Sequence, residues 1–321
     1  MSSPSVDSNY KLAAVDIGSN AIRFQISKVL EHQGVVHFKK VEYVRFPLRL
    51  GEDVFKLNEI SAEKEAKLFK LMQTFRNLFE LYEVDDYIVA ATSAMRESRN
   101  GKDIAFKIKD LLGVDIQIID GDAEADLINN VLYNEMEDES YIHIDVGGGS
   151  TEINIFVKKT KIAAHSFKIG SVRRLNGLDT PEEWLAMNQW IEEHIQKAPK
   201  PVLAIGTGGN IGKIYELAYS DKKKGTEKQF IPLKKIEEIR QMINEYNYED
   251  RVNVLMLNPD RADVIIPASE IYIAAMRWAK ASKMMVPELG LKDGLMLMLY
   301  ERVKNKKTST GTVVNVNKYA K

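Results

Sequence analysis

Two short stretches constrain this chain more than anything else in it. Ala14-Val15-Asp16-Ile17-Gly18-Ser19-Asn20 resembles Ile144-Asp145-Val146-Gly147-Gly148-Gly149-Ser150, and the two aspartates lie 145 − 16 = 129 positions apart. A repeat that long implies duplicated domains rather than a short-period solenoid. Short Asp-apolar-Gly matches also arise by chance, so the surrounding elements must agree. Apolar alternation predicts strands at Leu12–Ile17, Ala21–Val29 and Val35–Phe46, a helix at Ser61–Tyr82 and a strand at Asp86–Ala91. A helix at Lys102–Leu112, a strand at Asp115–Ile119 and a helix at Asp122–Asn134 follow. The second half repeats the order: strands at Tyr141–Val146, Thr151–Val157 and Ile162–Phe167, a helix at Pro181–Gln196, a strand at Val202–Ile205 and a helix at Asn210–Ala218. Further helices are expected at Leu233–Tyr246, Asp260–Ala281 and Lys292–Val303.

At 321 residues the chain has room for two domains of about 150 residues. The boundaries read as 10–125 and 126–289, with a helix at about 290–304 packing back on the first domain. Residues 1–9 and 305–321 read as flexible tails; Asp221–Lys228 reads as a mobile loop, and the basic run from Lys304 as mostly disordered.

The absence of cysteine excludes disulfides, Cys–Zn sites and a thiol nucleophile. Lysine and arginine total 45 against 46 acids, so a globally basic, nucleic-acid-coating protein is excluded and no duplex nucleic acid is expected. No run of about 18 apolar residues is present, so no membrane span is expected. The polar Met1–Asn9 lacks an apolar signal core, and the chain reads as cytoplasmic. The five histidines, His32, His37, His143, His165 and His194, show no metal-binding spacing. Chemistry must therefore come mostly from carboxylates, hydroxyls, amides and arginines.

The strongest signal is Asp145-Val-Gly-Gly-Gly-Ser-Thr-Glu152. Gly147, Gly148 and Gly149 weaken a strand but suit a tight hairpin whose amides form an anion-binding nest, with Ser150 adding a hydroxyl. Asp16-Ile-Gly-Ser-Asn20 is the equivalent turn, and a divalent cation between Asp16 and Asp145 would offset carboxylate–phosphate repulsion. Gly206-Thr207-Gly208-Gly209-Asn210 opens a helix after a strand, which favours phosphate; it lacks a P-loop's Lys-Ser/Thr ending. Arg96 lies early in a helix, where a cation opposes the dipole and makes better sense as an anion ligand. Arg23 follows the first turn in the same sense, with an exposed surface arginine as the alternative for each. Asp122 and Glu124 read, from composition alone, as stabilising acids at a helix N-terminus.

Together the stretches 13–26, 91–101, 118–128, 143–155, 205–214, 261–265 and 289–297 resemble the exopolyphosphatase / guanosine pentaphosphate phosphatase (Ppx/GppA) family. The resemblance implies an α/β fold of two duplicated ribonuclease H-like domains, of the actin/Hsp70/sugar-kinase group, with an interdomain cleft. It implies that Glu124 is the carboxylate that activates water. It ties Asp145 and Glu152 to the metal (Mg²⁺ or Mn²⁺) and to the catalytic water. It makes Ser19, Asn20, Arg23, Arg96, Gly147, Gly148, Gly149 and Ser150 phosphate-cradling. Two departures stand out: Asp126 where the family often has Arg, and Gly208 where it often has Ser. Longer relatives carry a C-terminal helical domain, so the chain reads as a short, two-domain form.

The expected activity is Mg²⁺-dependent release of terminal orthophosphate from inorganic polyphosphate. The alternatives are hydrolysis of the 5′ phosphate of guanosine pentaphosphate on the same residues, or a non-catalytic sensor of polyphosphate or of guanosine penta- or tetraphosphate. A kinase of this fold group and an actin-like filament protein rank behind these. Lys158, Lys159, Lys161 and Lys168 read either as a polyanion guide or as solvated surface. The apolar stretch Ile271–Ala281 reads as core first and as a homodimer face second.

Overall fold

The structure, a computed structural model, describes residues 8–32, 35–220 and 228–308. It divides into two units: one runs to Ile128 and resumes at Leu291, and the other is Asn129–Gly290.

The first unit opens with strands β1 (Ser8–Ile17), β2 (Ile22–His32) and β3 (Val35–Phe46). Helices α1 (Leu50–Leu57) and α2 (Ala62–Leu81) follow, then strand β4 (Asp86–Ala91). Helices α3 (Ser93–Glu97) and α4 (Gly101–Leu112), strand β5 (Ile116–Ile118) and helix α5 (Gly121–Leu132) complete this half of the sequence. The sheet order is β3-β2-β1-β4-β5, with β1–β2 and β2–β3 antiparallel and the β4 and β5 pairings parallel. Helix α2 is specified locally: Ser61 caps it by accepting from the Lys64 amide, and Leu68, Met72, Phe75 and Phe79 form its buried stripe. Phe75 stacks on Phe24 of β2 at 4.6 Å between ring centres, and each such buried ring contributes roughly 1.5–3 kcal/mol.

The second unit has strands β6 (Ser140–Val146), β7 (Thr151–Val157) and β8 (Thr160–Phe167), then helices α6 (Ser171–Leu175) and α7 (Pro181–Ile195). Strand β9 (Val202–Thr207), helix α8 (Gly209–Ala218), strand β10 (Phe230–Pro232) and helices α9 (Leu233–Glu245), α10 (Tyr248–Asn253), α11 (Pro259–Ala262) and α12 (Ile265–Ala279) lead to strand β11 (Lys283–Met285). The order β10-β11-β9-β6-β7-β8 repeats the first sheet's plan, a three-stranded antiparallel meander with two parallel strands added beside its first strand, and adds β10 antiparallel at the edge. One face of this sheet is apolar. Ile142, Ile144, Ile153 and Ile155 pack there with α7, α8, α9 and α12. These are two similar ribonuclease H-like α/β units, as the duplication implies.

Helix α13 (Leu291–Thr308) belongs to the first unit. Arg302 grips the Asp86 carboxylate with two bonds of 2.9 and 2.7 Å, and Tyr300 donates to Glu31 at 2.5 Å. Gly294 packs on the backbone of α5: a Cβ there would lie 2.2 Å from the Leu127 carbonyl oxygen.

Several expectations need correction. Lys304 is helical, ion-paired to Glu31 at 3.3 Å, and helix α13 continues to Thr308, so order extends past the expected start of the tail. The remainder of that tail, and 221–227 of the expected loop, lie outside the described residues; Lys228 pairs with Glu137 at 2.7 Å. The helix expected at Asp260–Ala281 is two helices, α11 and α12. Pro267 supplies the reason, because its ring is incompatible with a continuous helix through residue 263. Ile271, Tyr272, Ala275, Met276 and Ala279 are buried in the unit's own core.

Candidate active site

In the first unit the turn between β1 and β2 is closed by the Gly18 amide donating to the Ala21 carbonyl at 3.2 Å. Its carbonyls are held from outside: the Gly51 amide reaches Ser19 O at 2.8 Å and the Arg49 amide reaches Asn20 O at 3.0 Å. The Ser19 hydroxyl is bonded to that of Ser93, at the start of α3, at 2.7 Å. Arg96, on the same short helix, donates to Ile119 O at 2.8 Å. Asp16 and Arg23 are register partners across β1–β2, and their side chains pair at 2.8 Å. The cation beside Asp16 in this structure is thus Arg23.

Glu124 sits half-buried in the first turn of α5. Asp120 performs the capping, its carboxylate accepting from the Ala123 amide at 2.8 Å and its carbonyl from the Glu124 amide at 3.0 Å. Glu124 is therefore not needed to start the helix.

In the second unit the equivalent turn is closed the same way, by Gly147 N to Ser150 O at 2.9 Å. Its carbonyls are drawn onto α6. Ser171 N reaches Gly147 O at 2.9 Å, Val172 N reaches Gly148 O at 2.9 Å, and the buried Arg173 Nε reaches Gly149 O at 2.6 Å. Among the described residues no backbone carbonyl accepts from the amides of Gly148, Gly149 or Ser150. Turning the carbonyls one way and leaving the amides for a ligand is what an anion nest requires.

Asp145 and Glu152 are directly opposite on the β6–β7 ladder, and Thr207 is opposite Asp145 on β9. Strand alternation places all three on one face of the sheet. Glu152 is buried and accepts from Ser166 Oγ at 2.8 Å. Like charges directly opposite repel, and two hard oxygen donors side by side suit Mg²⁺, which keeps several waters and needs few protein ligands. Among the described residues no three acidic or histidine side chains converge into a ready-made metal cage.

The Gly206–Gly209 loop encloses the same corner. Gly208 has φ +101°, which disfavours any side chain, and a Cβ there would lie 3.1 Å from Tyr272 Oη and 3.2 Å from Asp145 Oδ1. Tyr272 fills that space and donates to Thr207 O. Burial above all, with the charges of Asp145 and Glu152, pushes its hydroxyl well above the usual tyrosine range, so it stays a donor. At the N-terminus of α8, Arg261 Nη2 is 2.8 Å from where a Gly209 Cβ would sit. A guanidinium beside free helix amides favours an anion.

Residues not proposed as site residues from the sequence lie beside these loops: Ser93 in the first unit, and Arg173, Arg261, Tyr272 and His143 in the second. In the sequence Arg261 is marked only as part of the 261–265 stretch, and His143 only as part of the 143–155 stretch and as one of five histidines without metal-binding spacing. Lys158 and Lys159 form the β7–β8 turn. That turn is about 20 Å along the strand from the glycine loop, so these two lysines do not touch a group held in it. Lys168 lies beside the loop and is exposed.

His143 is fully buried, and lost hydration pushes its imidazole down to about 3. Between that value and about 6.5 the unfolded chain binds a proton that the folded chain does not. Stability is present above that range and falls as pH falls through it. From pH 7 to pH 5 this group alone is expected to cost about 2 kcal/mol. Urea unfolding of wild type and His143→Gln at both pH values checks this: the variant should lack that increment, and equal pH dependence contradicts it.

The fold is that of a two-unit α/β protein with a glycine loop beside a pair of carboxylates in its second unit. Residues 28–303 match the Ppx/GppA phosphatase family, and the chain belongs to that family. It is 26% identical to a bifunctional 3-dehydroquinate synthase/phosphatase of Fusobacterium nucleatum, covering 93% of this chain and 47% of the relative, so it spans about half of that protein's length. It is 22% identical to exopolyphosphatase 1 of Mycobacterium bovis, covering 89% of this chain and 87% of that one. Among solved structures, an exopolyphosphatase from Cytophaga hutchinsonii shares the fold with a TM-score of 0.79 at 22% identity, over 91% of this chain and 98% of that one. Among the described residues no helix is long and apolar enough to cross a membrane.

Proposed function

We propose that this protein hydrolyses the terminal phosphoanhydride bond of inorganic polyphosphate and releases orthophosphate. The observation that carries the reading is the Gly147–Ser150 loop, in which α6 and Arg173 take the carbonyls of Gly147, Gly148 and Gly149 while the amides of Gly148, Gly149 and Ser150 remain for an anion, next to the Asp145–Glu152 pair. Family membership and the exopolyphosphatase among the relatives favour this substrate class. Phosphoryl transfer depends mainly on positioning and on neutralising charge, and amides, hydroxyls and guanidinium groups supply both. Asp145 and Glu152 would hold Mg²⁺ or Mn²⁺, which neutralises charge on phosphate oxygens when bound. Glu124 takes the proton of the attacking water, the role implied by the family resemblance.

Orthophosphate release from polyphosphate, guanosine pentaphosphate, ATP and pyrophosphate, with Mg²⁺ and with excess chelator, tests this reading. Polyphosphate should turn over fastest, and chelator should reduce the rate to background until Mg²⁺ is restored. Full activity in chelator removes the metal from the account. Guanosine pentaphosphate turning over fastest replaces polyphosphate with that alarmone as substrate.

A further inference from the structure

Beneath the carboxylate layer of the second sheet lies a row of buried, neutral polar groups. Asn129 Nδ2 donates to Asn154 Oδ1 at 3.4 Å. Asn154 Nδ2 lies 3.1 Å from His143 Nδ1, and His143 Nε2 lies 2.9 Å from Thr207 Oγ1. Asn129 is buried, and His143, Asn154 and Thr207 are each at most 1% exposed. The direction of the row follows from its far end. With its oxygen facing Asn129, Asn154 presents its amide hydrogens to the ring. An imidazole that accepts at Nδ1 carries its proton on Nε2 and donates it to Thr207.

Such a row is not required by the fold, because the first unit builds the same sheet without it. By the 129-residue offset and the strand pairings, His143 and Asn154 correspond to Ala14 and Gln25, which face each other on β1–β2. Thr207, paired with Asp145, corresponds to Ala90, paired with Asp16. Among the described residues the first sheet has no His–Asn–Thr row at these positions, its buried polar pair being Gln25 and Ser27; leaving the members of the second sheet's row without partners would cost roughly 1–3 kcal/mol per group.

We infer that His143, oriented by Asn154, is a positioning residue that fixes the hydroxyl of Thr207. With one lone pair of Oγ1 engaged by the imidazole, the hydroxyl proton is left for an acceptor on the side of Asp145 and Glu152. Tyr272 holds the carbonyl of the same residue, so both the peptide and the side chain of Thr207 are set by the protein before ligand arrives. The acceptor is a phosphoryl oxygen, and to that extent the inference rests on the proposed phosphohydrolase reading.

The test is a double-mutant cycle of His143→Val and Thr207→Val on orthophosphate release, with His143→Gln as the conservative variant and melting temperatures recorded throughout. A preorganised donor is worth about 10²-fold in rate. Thr207→Val should lose about that much kcat, and His143→Val about tenfold, with KM changed less than kcat. The double variant should be no slower than Thr207→Val alone, because both act through one hydroxyl. Gln, which can accept from Asn154 and donate to Thr207, should recover most of the His143→Val loss. Additive losses, or a Gln variant as slow as Val at an unchanged melting temperature, overturn the inference. An imidazole ¹H–¹⁵N spectrum separates its failure from failure of the phosphohydrolase reading, since it needs no turnover. His143 should be the Nε2–H tautomer, with a resonance that moves in Thr207→Val. An Nδ1–H tautomer overturns the inference even if phosphate is released.

Discussion

Glu124→Gln is expected to lower orthophosphate release from polyphosphate by about 10³-fold, while the melting temperature and polyphosphate affinity stay near wild type. Removing a general base typically costs 10²–10⁴-fold. The substitution is nearly isosteric, and the helix around it does not depend on the charge. Asp120 caps α5 through both its carboxylate and its carbonyl. Gly294 of α13 packs closely on the middle of the helix, at the Leu127 backbone. What Gln forfeits structurally is one acid near a helix N-terminus, worth about 0.3–1 kcal/mol. Phosphate release and calorimetric binding on the same preparation separate the roles. A large loss of melting temperature would make Glu124 a helix stabiliser, and wild-type turnover would remove it as the base.

Gly170→Val is expected to lower kcat/KM by about 10²-fold, the usual cost of moving catalytic donors by about 1 Å. Gly170 has φ −142°, an ordinary extended conformation, so backbone freedom is not why glycine is there. Space is the reason. A Cβ would lie 2.4 Å from Gly148 O and 2.5 Å from the carbonyl carbons of Gly148 and Gly149. Those atoms are backbone and cannot rotate aside, so the nest itself must shift, with an overpacking cost of about 1–3 kcal/mol. Gly212→Ala is the control: nothing lies within 4 Å of its Cβ position, and alanine favours a helix by about 1 kcal/mol. It should leave kinetics unchanged and raise the melting temperature slightly. A Gly170→Val protein with wild-type kcat/KM would show that the loop tolerates displacement and does not position the ligand.

The parts of this molecule legible in its sequence are those encoded locally. The turns after Asp16 and Asp145 announce themselves because glycine and short polar residues between apolar strands have few other uses. Helix α2 was legible through the Ser61 cap and its aromatic stripe. Helix α1 was not: Arg49 precedes it in the left-handed region at φ 54° and no side chain caps it. It forms because its first amides are consumed by the Ser19–Asn20 turn, a partnership made across the fold. Helix α6 is hidden for the same reason, its first amides bonding to Gly147 and Gly148. The site divides the same way. Glycine positions could be read directly, whereas Tyr272 and Arg261 reach Thr207 and Gly209 from more than fifty positions away in sequence. Asp16 carried the right residue type for a metal ligand. Its pairing with Arg23 depends on the β1–β2 register, which no motif displays.

The most direct measurement follows orthophosphate and bound polyphosphate together, with the purified chain, Mg²⁺ and long-chain polyphosphate in one solution. A polyphosphate phosphohydrolase accumulates orthophosphate in proportion to protein, with the chain shortened from its end and Glu124→Gln silent in the same assay. Tight polyphosphate binding with no orthophosphate above the protein-free background would contradict it and leave a binding protein in its place.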